Sequence, residues 1–217
     1  MNKLDEIYSK HENVAEFSSA YFQHIMQTIA KIDVNEVAKF VELVVRAKNK
    51  NNTIYFLGNG GSASTASHFA NDLSIGTRSW EKPFKVVSLC DNNSIITAIA
   101  NDYGYEDVFL LQLKTCLKKD DVVVAISASG NSPNLLKAIT YANEVGATTV
   151  GLTAFDGGKL KKLCHQGVHV PTDLGEYGPA EDAHMIIDHL MNSYLSRLVK
   201  AEDSKETSRD KTALTQA

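Results

Sequence analysis

No stretch of this 217-residue chain approaches the roughly 20 consecutive apolar residues that a bilayer span requires. Basic residues do not dominate either. The 22 Lys and Arg against 26 Asp and Glu leave a net charge of −4, which argues against nucleic acid or an anionic membrane as partner. Cysteine is scarce: Cys90, Cys116 and Cys164 lie far apart with no CxxC. An odd, scattered set excludes a disulfide framework and a cysteine zinc cage, and it suits a reducing compartment. The opening MNKLDEIYSKHENV is too polar for a signal peptide, so the expected location is cytoplasmic. What remains, with 43% hydrophobic residues, is enough to build the core of one domain.

The first fifty residues have helical periodicity and read as two helices. Leu4, Ile7, Tyr8, Val14, Phe17, Tyr21 and Ile25 recur at three- and four-residue steps, and Val37, Phe40, Val41, Val44 and Val45 share a face between Val34 and Lys48. This part, residues 1–50, is expected to pack on the domain or to form an oligomer contact. From residue 53 short β-branched runs alternate with helical segments. Strands are expected at Thr53–Leu57, Lys85–Leu89, Val122–Ser127, Thr148–Thr153 and Val168–Val170. Runs apolar throughout, such as DVVVAIS, indicate strands buried on both faces. The fold class is therefore α/β, a three-layer, doubly wound parallel sheet occupying 51–200. Residues 201–217, AEDSKETSRDKTALTQA, lack aromatics and apolar period and read as a disordered tail.

In such sheets ligands bind beyond the carboxyl ends of the strands. Three of those ends are glycine- and serine-rich: LGNGGSAS, ISASGNSPN and LTAFDGG. A single loop of this composition is ordinarily a turn. Two serine-rich loops at the ends of different strands favour a ligand site, and SASGNS just before a helix suits a phosphate. No lysine follows the glycines, which excludes the nucleoside-triphosphate loop, and Ala63 stands where GxGxxG needs its third glycine.

The ionisable groups fall on two predicted helices. His68 and Asp72 are four apart and share a face, a spacing suited to a metal or to proton transfer. GPAEDAHMIIDHL carries Glu181, Asp182, His184, Asp188 and His189. On an ideal helix Asp182 and His189 share a face, whereas Glu181 is offset from His189 by about 80°. His11, His24, His165 and His169 read as packing or surface residues.

GNGGSASTASHFANDL, IANDYGYEDVF, ISASGNSPNLLKAI, LTAFDGGKL and EDAHMIIDHL together resemble the sugar isomerase (SIS) domain, particularly its phosphoheptose isomerase group, up to about residue 200. The resemblance implies a flavodoxin-like SIS fold, a homotetramer with sites at subunit contacts, and isomerisation of sedoheptulose 7-phosphate to a glycero-manno-heptose 7-phosphate. By position, Ser127, Ala128, Ser129 and Ser132 would hold the phosphate. Asn59, Gly60, Gly61, Ser62, Asn101, Asp102 and Glu181 would line the substrate. His68, Asp72, Glu181 and His189 would bind zinc, with Asp72 and His189 as the acid/base pair. Two departures stand out: Asp72 replaces a glutamate and Glu181 a neutral glutamine. Ala128 also stands where the group often has a threonine. The rivals are a non-catalytic SIS module, which binds a sugar phosphate or a protein such as a replication initiator, and an isomerase of a related sugar phosphate.

Overall fold

A computed structural model describes the backbone of residues 1–214 and the side chains of residues 1–204. Three helices lead: α1 (Lys3–Lys10), α2 (Val14–Ile29) and α3 (Val34–Lys50). Two were expected. The first breaks in two because Asn13 turns its side chain onto the N–H groups of Ala15 and Glu16, starting a new helix. Five strands follow: β1 (Thr53–Gly58), β2 (Lys85–Ser88), β3 (Val122–Ser127), β4 (Thr148–Ala154) and β5 (Gln166–Val170). They form one parallel sheet in the order β2-β1-β3-β4-β5. This is the flavodoxin-like order, whose ligand crevice lies where β1 and β3 diverge.

Period-two alternation divides the core between the faces of the sheet. Ile54, Phe56, Val124, Ile126 and Leu152 point to one face. There they meet α3, α4 (Gly61–Asn71) and the long α9 (Tyr177–Leu214) through Phe40, Phe69, Ile187 and Met191. Tyr55, Leu57, Val123 and Ala125 point to the other, against Leu113 of α6 (Leu110–Cys116) and Ile139 of α7 (Pro133–Val145). Helix α5 (Asn93–Asp102) follows β2 and α8 (Leu160–Leu163) follows β4. The expected three-layer sheet is thus observed.

Two elements differ from expectation in ways that matter below. Helix α4 does not end cleanly but passes into a π turn over Asp72–Gly76, closed by Thr77 N–H to Asp72 C=O at 3.0 Å. Such turns are rare and favour functional sites. Helix α9 continues through Ala201 to Leu214, where a disordered tail had been expected; Lys48 reaches across to Glu202 at 3.0 Å and fastens its first added turn. Residues 215–217 lie outside the described residues. Among the described residues no helix is long and apolar enough to cross a membrane.

Candidate active site

Strands β1 and β3 run side by side to their ends, with Gly58 paired to Ile126. The β1 loop enters α4 through Gly60, whose φ of 54° is a left-handed conformation that favours glycine. The β3 loop enters α7 through Ser132 and Pro133. Neither Gly60 nor Ser132 closes its helix with a side-chain hydrogen bond, so two positive helix ends are left open toward one place. Ser127 Oγ accepts from Gly130 N–H at 3.1 Å, and Ser129 Oγ from Asn131 N–H at 3.4 Å, which folds the loop into a cup.

The two loops are clasped together by a pair of amides. Asn59 donates to Asn134 Oδ1 at 3.0 Å and accepts from Asn134 Nδ2 at 2.9 Å, while Tyr105 Oη donates to Asn59 Oδ1 at 2.8 Å. Asn134 had not been singled out in the sequence, although its place one residue after Ser-Pro at a helix start was a signal. Between the loops lies a cavity of about 180 Å³. Ser62, Ser127, Ala128, Ser129 and Ser132 line it together with Asn59, Tyr177 and Glu181. A hollow of about 610 Å³ along α6 and α7 is larger, but its Lys137 is already paired with Glu106 and Asp107 at 3.2 Å each. Asn101 and Asp102, expected at the substrate, stand exposed at the end of α5 and do not line the cavity.

Helices α4 and α9 lie side by side and run in the same direction. At their starts the Glu181 carboxylate lies against Gly61, where a Cβ would come within 2.2 Å of it and push the carboxylate aside. Two turns on, His68 Nε2 lies 3.2 Å from His189 Nε2 and 3.9 Å from Asp188 Oδ2. Further along, Asn192 Nδ2 donates to Asp72 Oδ2 at 3.0 Å.

The second group is therefore His68, Asp72, Asp188 and His189, whose ligand atoms all lie within 4.8 Å of one another. Three of the four expected metal residues come together, and Asp188 stands in for Glu181. Glu181 lies outside because it sits two turns earlier on α9, at the cavity. Asp72 has both oxygens engaged, since Asn71 Nδ2 donates to Oδ1 at 3.0 Å. Its Oδ1 also stands 3.6 Å from His68 Nε2. Asp188 is fully buried, and neither of its oxygens has a hydrogen-bonding partner among the described residues. Burial, reinforced by the charge of Asp72, pushes its carboxyl up to about 8. Two imidazoles, a fixed carboxylate and an orphaned buried carboxylate form a donor set that fits a divalent cation.

The other histidines have local partners, as expected. His11 Nδ1 meets Ile7 C=O at 2.7 Å, His24 meets Glu176 at 3.2 Å, and His165 and His169 meet Thr149 and Thr153 at 2.9 and 3.0 Å. His184 is different. It is fully buried, and burial holds its imidazole down at about 4, with the Thr153 backbone acting weakly the other way.

Comparison with known proteins identifies relatives over most of the chain. The SIS domain family matches residues 19–154. A phosphoheptose isomerase of Helicobacter pylori (strain P12) is 39% identical over 157 residues, 72% of this chain and 81% of its own length. One from Geotalea daltonii is 33% identical over 180 residues, 83% and 93% of the two chains. The solved structure of a phosphoheptose isomerase from Neisseria gonorrhoeae superposes with a TM-score of 0.76 at 29% identity, covering 85% of this chain and 100% of the other.

Proposed function

The chain belongs to the SIS-domain family, in its phosphoheptose isomerase group, and from that premise we infer that it interconverts sedoheptulose 7-phosphate and a glycero-manno-heptose 7-phosphate. It is an aldose–ketose isomerase, an intramolecular oxidoreductase. Such a reaction moves hydrogen between adjacent carbons, with no net gain or loss of electrons.

One observation carries the assignment of roles: the α4–α9 pair lines the cavity of the serine cup at its start, through Ser62 and Glu181, and carries the carboxylate–imidazole group further along. Six residues from Ser62 to His68 and eight from Glu181 to His189 separate the two by about 9–12 Å. An extended chain advances about 1.2 Å per bond, which places the phosphorus of a seven-carbon ketose 7-phosphate about 9 Å from its C2. The phosphate would sit among Ser127, Ser129 and Ser132, over the open ends of α4 and α7. The reacting carbons would then lie at His189.

His68, Asp72 and Asp188 would hold a divalent cation, zinc by resemblance to the group. When bound, it would supply Lewis-acid polarisation of the substrate's carbonyl oxygen. A ring nitrogen cannot ligate and accept a proton at once. Proton transfer is therefore given to His189, whose ring is exposed to an arriving substrate. Neutral imidazole suits that task near pH 7. His189 takes the C1 proton of the ketose, the electron pair becomes the C1–C2 double bond of an enediol, and O2 gains a proton. Loss of the O1 proton and return of a proton to C2 complete the aldose. Asp72, with both oxygens held by Asn71 and Asn192, keeps its place beside His68 rather than carrying the proton.

The protein acts in the cytoplasm on this account and assembles as a homotetramer. The exposed apolar strip of Val34, Leu190 and Tyr194 on α3 and α9 is a face for such contacts, which light scattering would weigh.

The test uses metal-replete protein, sedoheptulose 7-phosphate and deuterated water. Aldose product bearing deuterium at C2 is expected, and His189→Ala should abolish both product and exchange while phosphate affinity and fold persist. Unchanged turnover in that variant removes His189 from its role. Tight binding without product from the wild type would favour the non-catalytic module.

A further inference from the structure

Of the three glycine-rich strand ends, the one after β4 has no part in the cavity: none of Phe155, Asp156, Gly157 and Gly158 lines it. It is nevertheless packed hard against the serine cup. Ala154 N–H donates to Ala128 C=O at 3.0 Å, and Leu160 N–H donates to Gly130 C=O at 2.9 Å. Between these two bonds the β3 and β4 loops touch backbone to backbone. A Cβ on Gly130 would collide with Gly157 C=O, and one on Gly158 would collide with Ser129 C=O. Gly130, Gly157 and Gly158 all hold left-handed φ, of 62°, 81° and 53°. Asn131 ties the same contact: its Oδ1 accepts from Lys159 N–H at 3.2 Å and its Nδ2 donates to Ser129 C=O at 2.9 Å.

The β4 loop also reaches a second part of the cavity lining. Phe155 has φ 54°, a strained conformation for a bulky side chain. Its buried ring meets Tyr177 edge to face, with centroids 5.1 Å apart, and Tyr177 lines the cavity. An ordinary strand-to-helix turn needs neither glycines interlocked with a neighbouring loop nor a strained aromatic.

We propose that the β4 loop is a positioning element for the sugar phosphate, in which Gly158 and Asn131 fix the Ser129 carbonyl and so hold the Ser127–Ser132 backbone in the shape that receives the phosphate. This rests on the serine cup being the phosphate site. Neither Gly158 nor Asn131 lines the cavity, so both act through Ser129. Leu160 is fully buried and pins the far side of the loop, so a methyl added at Gly158 has to displace the cup. The phosphate does not react, and the cup holds it alike in ground and transition states. Its distortion should therefore move KM and leave kcat.

Inorganic phosphate is the probe, titrated calorimetrically into the full chain. Gly158→Ala should bind it about tenfold or more weakly than wild type, the size of one lost hydrogen bond to a charged group. KM for sedoheptulose 7-phosphate should rise by the same factor, with kcat little changed. Gly146→Ala is the control. Gly146 has φ 87° at the end of α7, and a methyl there would meet only the Lys119 side chain, at 3.4 Å. This variant carries a similar backbone penalty and should keep wild-type phosphate affinity and KM. Equal weakening in the two variants, or wild-type affinity in folded Gly158→Ala, overturns the proposal. If Gly158→Ala does not fold, Asn131→Ala decides. Asn131 is exposed, so its loss spares the fold; phosphate should bind about threefold or more weakly, and unchanged affinity overturns the proposal. Ser129→Ala separates the two readings. If it binds phosphate like wild type, or if wild type binds none, the cup is refuted and the proposal falls with it. If it weakens binding while the Gly158 and Asn131 variants do not, the cup stands and the positioning role alone is refuted.

Discussion

Replacing Asp188 by asparagine should change stability in opposite directions with and without metal. In metal-stripped protein the Asp188 carboxyl sits near 8, against an ordinary value of 3.8. At pH 7 the folded state therefore holds a proton that the unfolded state releases, at a cost on the order of 2–4 kcal/mol. The substituted amide is neutral in both states and escapes that cost. Because folded protein binds the extra proton, the wild type should lose stability as pH rises from about 4 to about 8, and the Asp188→Asn protein should show a flatter profile. A gain of that size corresponds to a rise in Tm of about 5–15 °C for a chain of this length. Adding zinc reverses the order. The wild type gains a ligand for its orphaned oxygens and should melt higher as metal is titrated in, whereas the variant should respond little. Melting curves after chelation and after zinc addition, at pH 5, 7 and 8, provide the whole comparison. A variant that is less stable than wild type without metal at pH 7, or that keeps the full zinc-dependent shift, would refute the role given to Asp188.

Ser129→Ala should raise KM for the sugar phosphate about tenfold or more, the loss of one hydrogen bond to a charged group, with kcat little changed. Equal KM values would remove Ser129 from the cup. His184→Leu should flatten the acid side of the stability profile. The wild-type imidazole titrates near 4 when folded, so the unfolded state binds more protons between about 4 and 6.5, and stability falls as pH drops through that window by up to about 3 kcal/mol. Denaturant titrations of both proteins at pH 4.5 and 7.5 would test this, and parallel profiles would contradict it.

The sheet, its layers and the serine cup were legible because each is written in contiguous residues. VVVAIS declares a strand buried on both faces, and SASGNS declares a loop before a helix. The carboxylate–imidazole group was legible only in part, because its membership depends on how two distant helices are aligned. Helix arithmetic places Glu181 and Asp188 relative to His189, but only the alignment of α4 beside α9 puts Gly61 next to Glu181 and His68 next to Asp188. The π turn at Asp72 was similarly hidden, since DLSIG carries no sign of it. Asn192 was missed for the same reason: a mid-helix asparagine acquires meaning only from the carboxylate it faces. The break at Asn13 is a different kind of miss. Asparagine before an apolar residue is an ordinary helix start, readable locally and outweighed by the periodicity on either side.

The reciprocal amides of Asn59 and Asn134 extend the pairing of β1 and β3 into their loops and make one rigid mould of the two. A ligand entering it has no segment to order, so the entropy that a floppy anion-binding loop surrenders on contact has already been lost during folding. Its capture should resemble a cast filling a set form, with little change in heat capacity beyond the surface it covers.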